Sequence, residues 1–299
     1  MQEYIRFETA SRAEILSLAI YYCQRMITSR TVRKFANFIL LLALRLRYGN
    51  PRLLHGHKNK YASILKDVGI VRLGNILTED QCAEIRAHLS MHRFVDSRGS
   101  GKSYNLAEID GTCKMGDYDL ATVINCPYVM QIANSPELVG LASSRLGFAP
   151  TITGLSIRWS FPSQSGPDSV QSFHRDCEVG SLKVMIYLTD VDTKSAPHTY
   201  VEGSHAERMP VRLHTYRDES VYKKYRSVSR VVGRAGTTFA IDTKGLHKGG
   251  VPSSRPRLIL GIQYSLLPCF MFRYTAVKYL GHSYLDEYIN RLIVATKSR

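Results

Sequence analysis

Three side chains in this sequence could together hold a redox metal. His174 and Asp176 stand two apart in the stretch 171–178, QSFHRDCE. His247 lies far downstream in the segment 236–263, GTTFAIDTKGLHKGGVPSSRPRLILGIQ. Residues two apart on a strand point to the same face, so His174 and Asp176 aim at one ion. A histidine from a distant strand completes a set of two imidazoles and one carboxylate. Such a set covers one face of an octahedral metal and leaves the rest open to substrate and oxygen, as in non-haem Fe(II) sites. A lone histidine beside an acid is more often a surface pair, but three ligands at this spacing are not. His198 and His205, near the GSH bend at 203–205, are rival third ligands and read as structural.

The surrounding elements must bring these residues together. From Pro150 onward short strands dominate: TITGLSIRWSFP, the metal segment, LKVMIYLTDVD, HTYVEGSH, GTTFAID and RPRLILGIQYSLL. Clusters of Gly, Pro and Ser separate them, as in a β-barrel or sandwich. Along LKVMIYLTD, Lys183, Met185 and Tyr187 share one face and Leu182, Val184, Ile186 and Leu188 the other. The aliphatic face reads as core, which leaves the Lys183 face toward the metal. A buried lysine needs an anionic partner, and a solvent-facing one is the plain alternative. The Arg-, Lys- and Tyr-rich stretch 206–234 is too long for a hairpin and too polar for core. It reads as an excursion at the barrel mouth, helical around Glu219 to Arg226.

Upstream, residues 11–48 read as two helices. The first has a stripe at Ile15, Leu18, Ala19 and Tyr22. The second sets Phe35, Phe38, Ile39, Leu41, Leu42 and Leu46 among Arg33, Lys34, Arg45 and Arg47, and stops at Gly49-Asn50-Pro51. Its apolar run is too short to span a bilayer, which takes roughly 20 residues. Two readings remain: a helix buried on the main domain, or a basic amphipathic surface resting on acidic membrane. Thr78 and Gln81 form a capping box for the next helix. Residues 94–118, rich in glycine and polar residues, read as a mobile loop. Ser135-Pro136-Glu137 opens a helix that Gly147 ends, and 283–297 reads as a closing helix with a Leu285, Tyr288, Ile289, Leu292 stripe.

The chain has 299 residues, 44% hydrophobic, enough for one large folded domain and too apolar for a disordered chain. Six scattered cysteines without a CxxC pair exclude a zinc ribbon. With no signal peptide in the opening residues, they point to reduced thiols in a cytoplasm-like compartment. The net charge of +15 suggests anionic partners: phosphorylated metabolites, acidic glycans, acidic lipid or nucleic acid.

The segments HRD at 174–176, YLTDVD at 187–192, EGSH at 202–205 and HKGGVPSSRPR at 247–257 resemble the phytanoyl-CoA dioxygenase family over residues 60–270. The resemblance implies a mostly β fold with flanking helices, a double-stranded β-helix (jelly-roll or cupin-like) barrel over 59–299. A basic helical extension, 1–58, precedes it. The resemblance also implies a dioxygenase using Fe(II), 2-oxoglutarate and O2, with His174, Asp176 and His247 as iron ligands. Arg257 would take the distal carboxylate of 2-oxoglutarate, since a guanidinium fork matches a carboxylate and stays charged when buried. Arg255 competes for that role, and Lys183 is a second contact for the cosubstrate. Trp159 is a candidate substrate wall, though also a core candidate, and Gln171 a candidate polar contact. With a carboxylate at 176, where related halogenases have a small residue, hydroxylation is the default outcome. The expected substrate is an anionic small molecule, sugar or lipid-linked compound, met in the cytoplasm or at the inner face of a membrane. A nucleic-acid demethylase is not favoured, because the Tyr/Arg run 212–234 matches a binding groove only in part. A non-catalytic sensing barrel is the remaining alternative.

Overall fold

The computed structural model describes residues 3–27, 29–49, 60–109, 111–163, 167–176, 178–207 and 215–295. Asn50, Pro51, the expected domain boundary at 58–59, Cys177, residues 208–214 of the excursion and the last residues of the expected closing helix lie outside that set.

The strands in chain order are β1 (Glu3–Tyr4), β2 (Ile70–Asn75), β3 (Phe94–Asp96), β4 (Ser103–Tyr104), β5 (Met115–Asp117), β6 (Thr151–Ser160) and β7 (Ser181–Tyr187). They continue with β8 (His198–Val201), β9 (Val228–Val231), β10 (Thr237–Ile241), β11 (His247–Lys248), β12 (Arg257–Ser265) and β13 (Phe272–Arg273). The helices are α1 (Arg12–Met26), α2 (Arg30–Tyr48), α3 (Lys60–Asp67), α4 (Glu79–Ser90), α5 (Leu120–Ile124), α6 (Val129–Ala133), α7 (Pro136–Leu146), α8 (Asp218–Lys224) and α9 (Glu287–Asn290). Their starts follow from local chemistry. Ser11 with Glu14 and Thr78 with Gln81 form capping boxes for α1 and α4. Ser135 caps α7 ahead of Pro136, and Gly147 ends it in the left-handed conformation.

An antiparallel eight-stranded sheet runs β2-β10-β7-β12-β6-β5-β3-β4, and a three-stranded sheet runs β11-β8-β9. These are the two sheets of a double-stranded β-helix. Among the described residues their hydrogen bonding does not close into a continuous barrel. Leu182, Val184, Ile186 and Leu188 are wholly buried on the helix side of the large sheet, in a core shared with α4 to α7. Each such aliphatic side chain contributes about 1.5–3 kcal/mol by leaving water. The other face turns toward the small sheet. There Tyr187 joins the two layers: its hydroxyl accepts from the His198 backbone and donates to Val231 O.

Three sequence expectations change. Residues 94–118 are not a loop throughout, because β3, β4 and β5 extend the large sheet at its edge. The closing helix is only α9, four residues long. The stripe on α1 is displaced: Leu18 and Tyr21 are buried, while Ile15 and Tyr22 stay exposed. The N-terminal segment also packs against the C-terminal part of the chain: β1 pairs with β13 in a separate two-stranded sheet, and Arg273 donates to Glu14 at 2.6 Å.

Candidate metal centre

His174 and His247 meet because their backbones pair. An isolated antiparallel bridge joins them, extending the small sheet by one short strand, and their rings lie 4.3 Å apart. Asp176 follows on the same edge, its backbone N–H donating to Thr243 O at 2.9 Å. One ligand atom from each of His174, Asp176 and His247 falls within 4.8 Å of the other two. Each histidine uses Nδ1 on a nearby carbonyl, His174 on Ser172 O and His247 on Gly245 O, both at 2.9 Å. That bond fixes the tautomer and leaves both Nε2 lone pairs for a metal. The Asp176 carboxylate is divided in the same way. Oδ2 accepts from Lys183 Nζ at 2.6 Å, while Oδ1 lies 3.8 Å from His174 Nε2.

Protonation suits metal binding as well. Burial holds His174 below the ordinary imidazole range and pushes His247 down to about 3, so both are neutral at physiological pH. Burial alone would raise the Asp176 pKa, but Lys183 and the two imidazoles outweigh it, and the carboxyl sits well below its usual range. Lys183 loses charge stability to burial and regains more from Asp176 and Glu178. Glu178 is itself pushed up, by burial first and by Asp176 second. Two neutral imidazoles and an ionised carboxylate with one free oxygen fit a divalent iron.

Arg257, first residue of β12, is 5% exposed. Its Nη1 donates to Ala196 O and, at 2.7 Å, to Gly249 O, and its Nη2 donates to Ser160 Oγ at 3.3 Å. No carboxylate pairs with it among the described residues, and its Nε is buried without a partner. Burial lowers its pKa and the nearby Arg158 lowers it further, yet a guanidinium remains charged. A buried cation held only by neutral oxygens calls for an anion, and a cosubstrate carboxylate would supply one. Gly249 packs close beside it: a Cβ there would lie 3.2 Å from Arg257 Nη2 and 3.4 Å from Val170 O, so the guanidinium would have to shift slightly.

The other expected residues fall in varied places. Lys183 is committed to Asp176, so the structure gives it the ligand to hold. Arg255 pairs with Asp192 in solvent at 2.8 Å. Trp159 is not on the cavity: alternation along β6 turns Arg158 toward the metal side and Trp159 into the core, where its Nε1 donates to Tyr118 Oη. Gln171 is buried and caps a short turn through Asp168, with its Nε2 unpartnered. It lines a neighbouring cavity of about 440 Å³.

The metal ligands His174 and Asp176 open into a cavity of about 330 Å³. Its wall includes Arg98, Arg158, Tyr4, Tyr21 and Phe272, and Gly154 and Gly261 leave room on the sheet floor. Arg158 is neutralised by Asp117 through bonds of 2.7 and 3.0 Å. Arg98 is held more loosely, 3.7 Å from Asp168, and donates to Tyr4 Oη at 3.1 Å. Sequence reasoning missed Arg98, Tyr4 and Tyr21, which reach the cavity only through tertiary packing. It also set aside His198, whose buried Nε2 is unpartnered and whose ring lies 5.7 Å from that of His247. Alternation along HTYV could have found it, since His198 and Tyr200 both reach the His247 ring.

A facial His-Asp-His set between two β sheets defines a non-haem iron oxygenase of the double-stranded β-helix class. The phytanoyl-CoA dioxygenase (PhyH) family model matches residues 65–258, and the chain belongs to that family. Solved structures agree on the fold. The 2-oxoglutarate-dependent epimerase SnoN from nogalamycin biosynthesis superposes with a TM-score of 0.53 at 20% identity, over 68% of this chain and 81% of its own. The carbocyclase SnoK from the same biosynthesis gives 0.51 at 19%, over 73% and 87%. HygX of Streptomyces hygroscopicus, solved with nickel and 2-oxoglutarate, gives 0.52 at 16%, over 80% of this chain and all of its own. No curated protein sequence matches significantly. The chain is an iron- and 2-oxoglutarate-dependent oxygenase.

Proposed function

We propose that this oxygenase hydroxylates a C–H bond of an anionic substrate whose carbon skeleton lies in the 330 Å³ cavity beside His174 and Asp176. Bound Fe(II), with 2-oxoglutarate and O2, supplies the oxidant for such a bond: one oxygen atom enters the substrate as hydroxyl, the other enters succinate, and carbon dioxide leaves. The observation that carries the substrate class is Arg98. It faces the cavity as a half-buried guanidinium whose nearest carboxylate stands 3.7 Å away, so an incoming anion competes well for it. Tyr4, Tyr21 and Phe272 offer aromatic walls for a carbon skeleton. Lys183 keeps Asp176 ionised and fixes which oxygen faces the metal. Arg257, between Ser160 and Gly249, orients the cosubstrate from the sheet side.

Lipid-linked or phosphorylated sugars, phospho-metabolites and acyl-CoA thioesters all meet this description. HygX, similar in fold, has been solved with hygromycin B bound. The test is a succinate-release screen over anionic and neutral pools with iron-loaded enzyme. Anionic compounds should give the highest kcat/KM, and Arg98→Gln should raise KM for them about tenfold or more while leaving 2-oxoglutarate binding in place. Neutral amino acids as the best substrates would contradict the assignment.

A further inference from the structure

Helix α2 has two apolar faces, and only one of them is used by the fold. Leu40, Leu41 and Leu44 turn inward against the core. Val32, Phe35, Phe38, Ile39, Leu42 and Leu46 lie on the opposite side and are 46% to 80% exposed. Spaced three or four apart, they make one continuous stripe. By the same periodicity Lys34 and Arg45 run along one margin of the stripe and Arg47 along the other. The helix carries five Arg or Lys residues and no Asp or Glu. Among the described residues no carboxylate pairs with Lys34, Arg45 or Arg47. No helix among the described residues is long and apolar enough to cross a membrane.

We infer that this face of α2 docks on an anionic lipid bilayer, lying in the plane of the interface with its phenylalanines among the acyl chains and its cations among the headgroups. An apolar stripe rimmed only by cations matches such a surface in both hydrophobicity and charge. A second copy of the chain fits poorly, because mating two stripes would bring six like charges together, three from each margin set, on chains of net charge +15 each. The docked helix is also tied to the substrate cavity. Arg33, on its inner edge, donates to Gln24 O at 2.8 Å and Ile27 O at 2.6 Å at the end of α1, and α1 supplies Tyr21 to the cavity wall. A cavity anchored this way stands close to the headgroup layer. The docking itself does not depend on the substrate assignment.

The experiment is vesicle co-sedimentation of the full chain. Vesicles of phosphatidylcholine with a quarter phosphatidylglycerol should pellet the protein at least tenfold better than phosphatidylcholine alone, and added salt should reduce the difference. Two variants should each lose at least tenfold in partitioning: Phe35→Ser/Phe38→Ser/Leu46→Ser, and Lys34→Glu/Arg45→Glu/Arg47→Glu. Both should keep wild-type consumption of 2-oxoglutarate, because these side chains face away from the core. Undiminished pelleting of either variant overturns the inference. So does a concentration-dependent dimer that the serine variant abolishes, since a second copy would then cover the stripe.

Discussion

The metal cavity and the outer face of α2 invert the usual arrangement in opposite senses. Around the metal site, charges that belong in water are buried: Asp176, Lys183 and Glu178 on the cavity, and Arg257 at the start of β12. On α2, side chains that belong in a core stand in water, Leu46 at 80% exposure. A fold under no functional demand would exchange them. The difference lies in what compensates each. The cavity satisfies most of its charge internally, Asp176 against Lys183 and Arg158 against Asp117, and leaves the metal-facing atoms open, while Arg257 on β12 has no carboxylate partner among the described residues. The α2 stripe has no internal compensation and looks outward. Incomplete satisfaction within the core accompanies the small-ligand site, and an apolar face rimmed by cations is the feature on which the proposed lipid docking rests.

The largest effect should come from breaking the ligand set. His247→Ala or Asp176→Ala removes a donor, and iron content and succinate release should both fall to background, checked by metal analysis and turnover. Arg257→Lys comes next. A single ammonium cannot hold Ala196 O, Gly249 O and Ser160 Oγ while also facing a carboxylate, so the KM for 2-oxoglutarate should rise on the order of 10–100-fold. Gly249→Ala should produce a weaker version of that defect by crowding Nη2. Lys183→Met leaves Asp176 buried without its cation, raises its pKa and should weaken iron binding about 10–100-fold, measured by calorimetry under anaerobic conditions. The smallest effect concerns the clamp between α1 and β13. The hydrogen bond from Arg273 lowers the Glu14 pKa from 4.5 to about 2. A carboxyl depressed in the folded state contributes stability above pH about 4.5 that is lost as pH falls toward about 2. Hydrogen exchange in Glu3–Met26 should therefore quicken over that window, and Glu14→Gln should show the faster rate already at pH 7.

The parts of this architecture that were legible in the sequence are those encoded by alternation and capping. The LKVMIYL strand, the HRD segment and the helix starts at Thr78 and Ser135 depend on neighbours within a few residues. Arg98, Tyr4 and Tyr21 were not legible. They enter the cavity because β1 pairs with β13 across nearly the whole chain and because β3 to β5 order a glycine-rich stretch at the sheet edge. Trp159 was read as core or substrate wall, and the alternation of IRWSF decides for the core, with Arg158 on the cavity side. For α2 the sequence left two readings, a helix buried on the main domain or a basic amphipathic surface resting on acidic membrane. The structure buries one face and exposes the other, because a helix carries two faces and composition alone does not say that both are apolar.

The central claim is that one ion and one cosubstrate meet at His174, Asp176, His247 and Arg257. The most direct measurement is anaerobic titration of the metal-free protein with Fe(II), followed by 2-oxoglutarate, reading metal stoichiometry by calorimetry and cosubstrate chelation by the visible charge-transfer absorption it produces on Fe(II). One Fe(II) per chain is expected, with absorption that appears only when both are present, vanishes in His247→Ala and needs far more 2-oxoglutarate in Arg257→Lys. Stoichiometric iron binding and full absorption in His247→Ala would contradict the account.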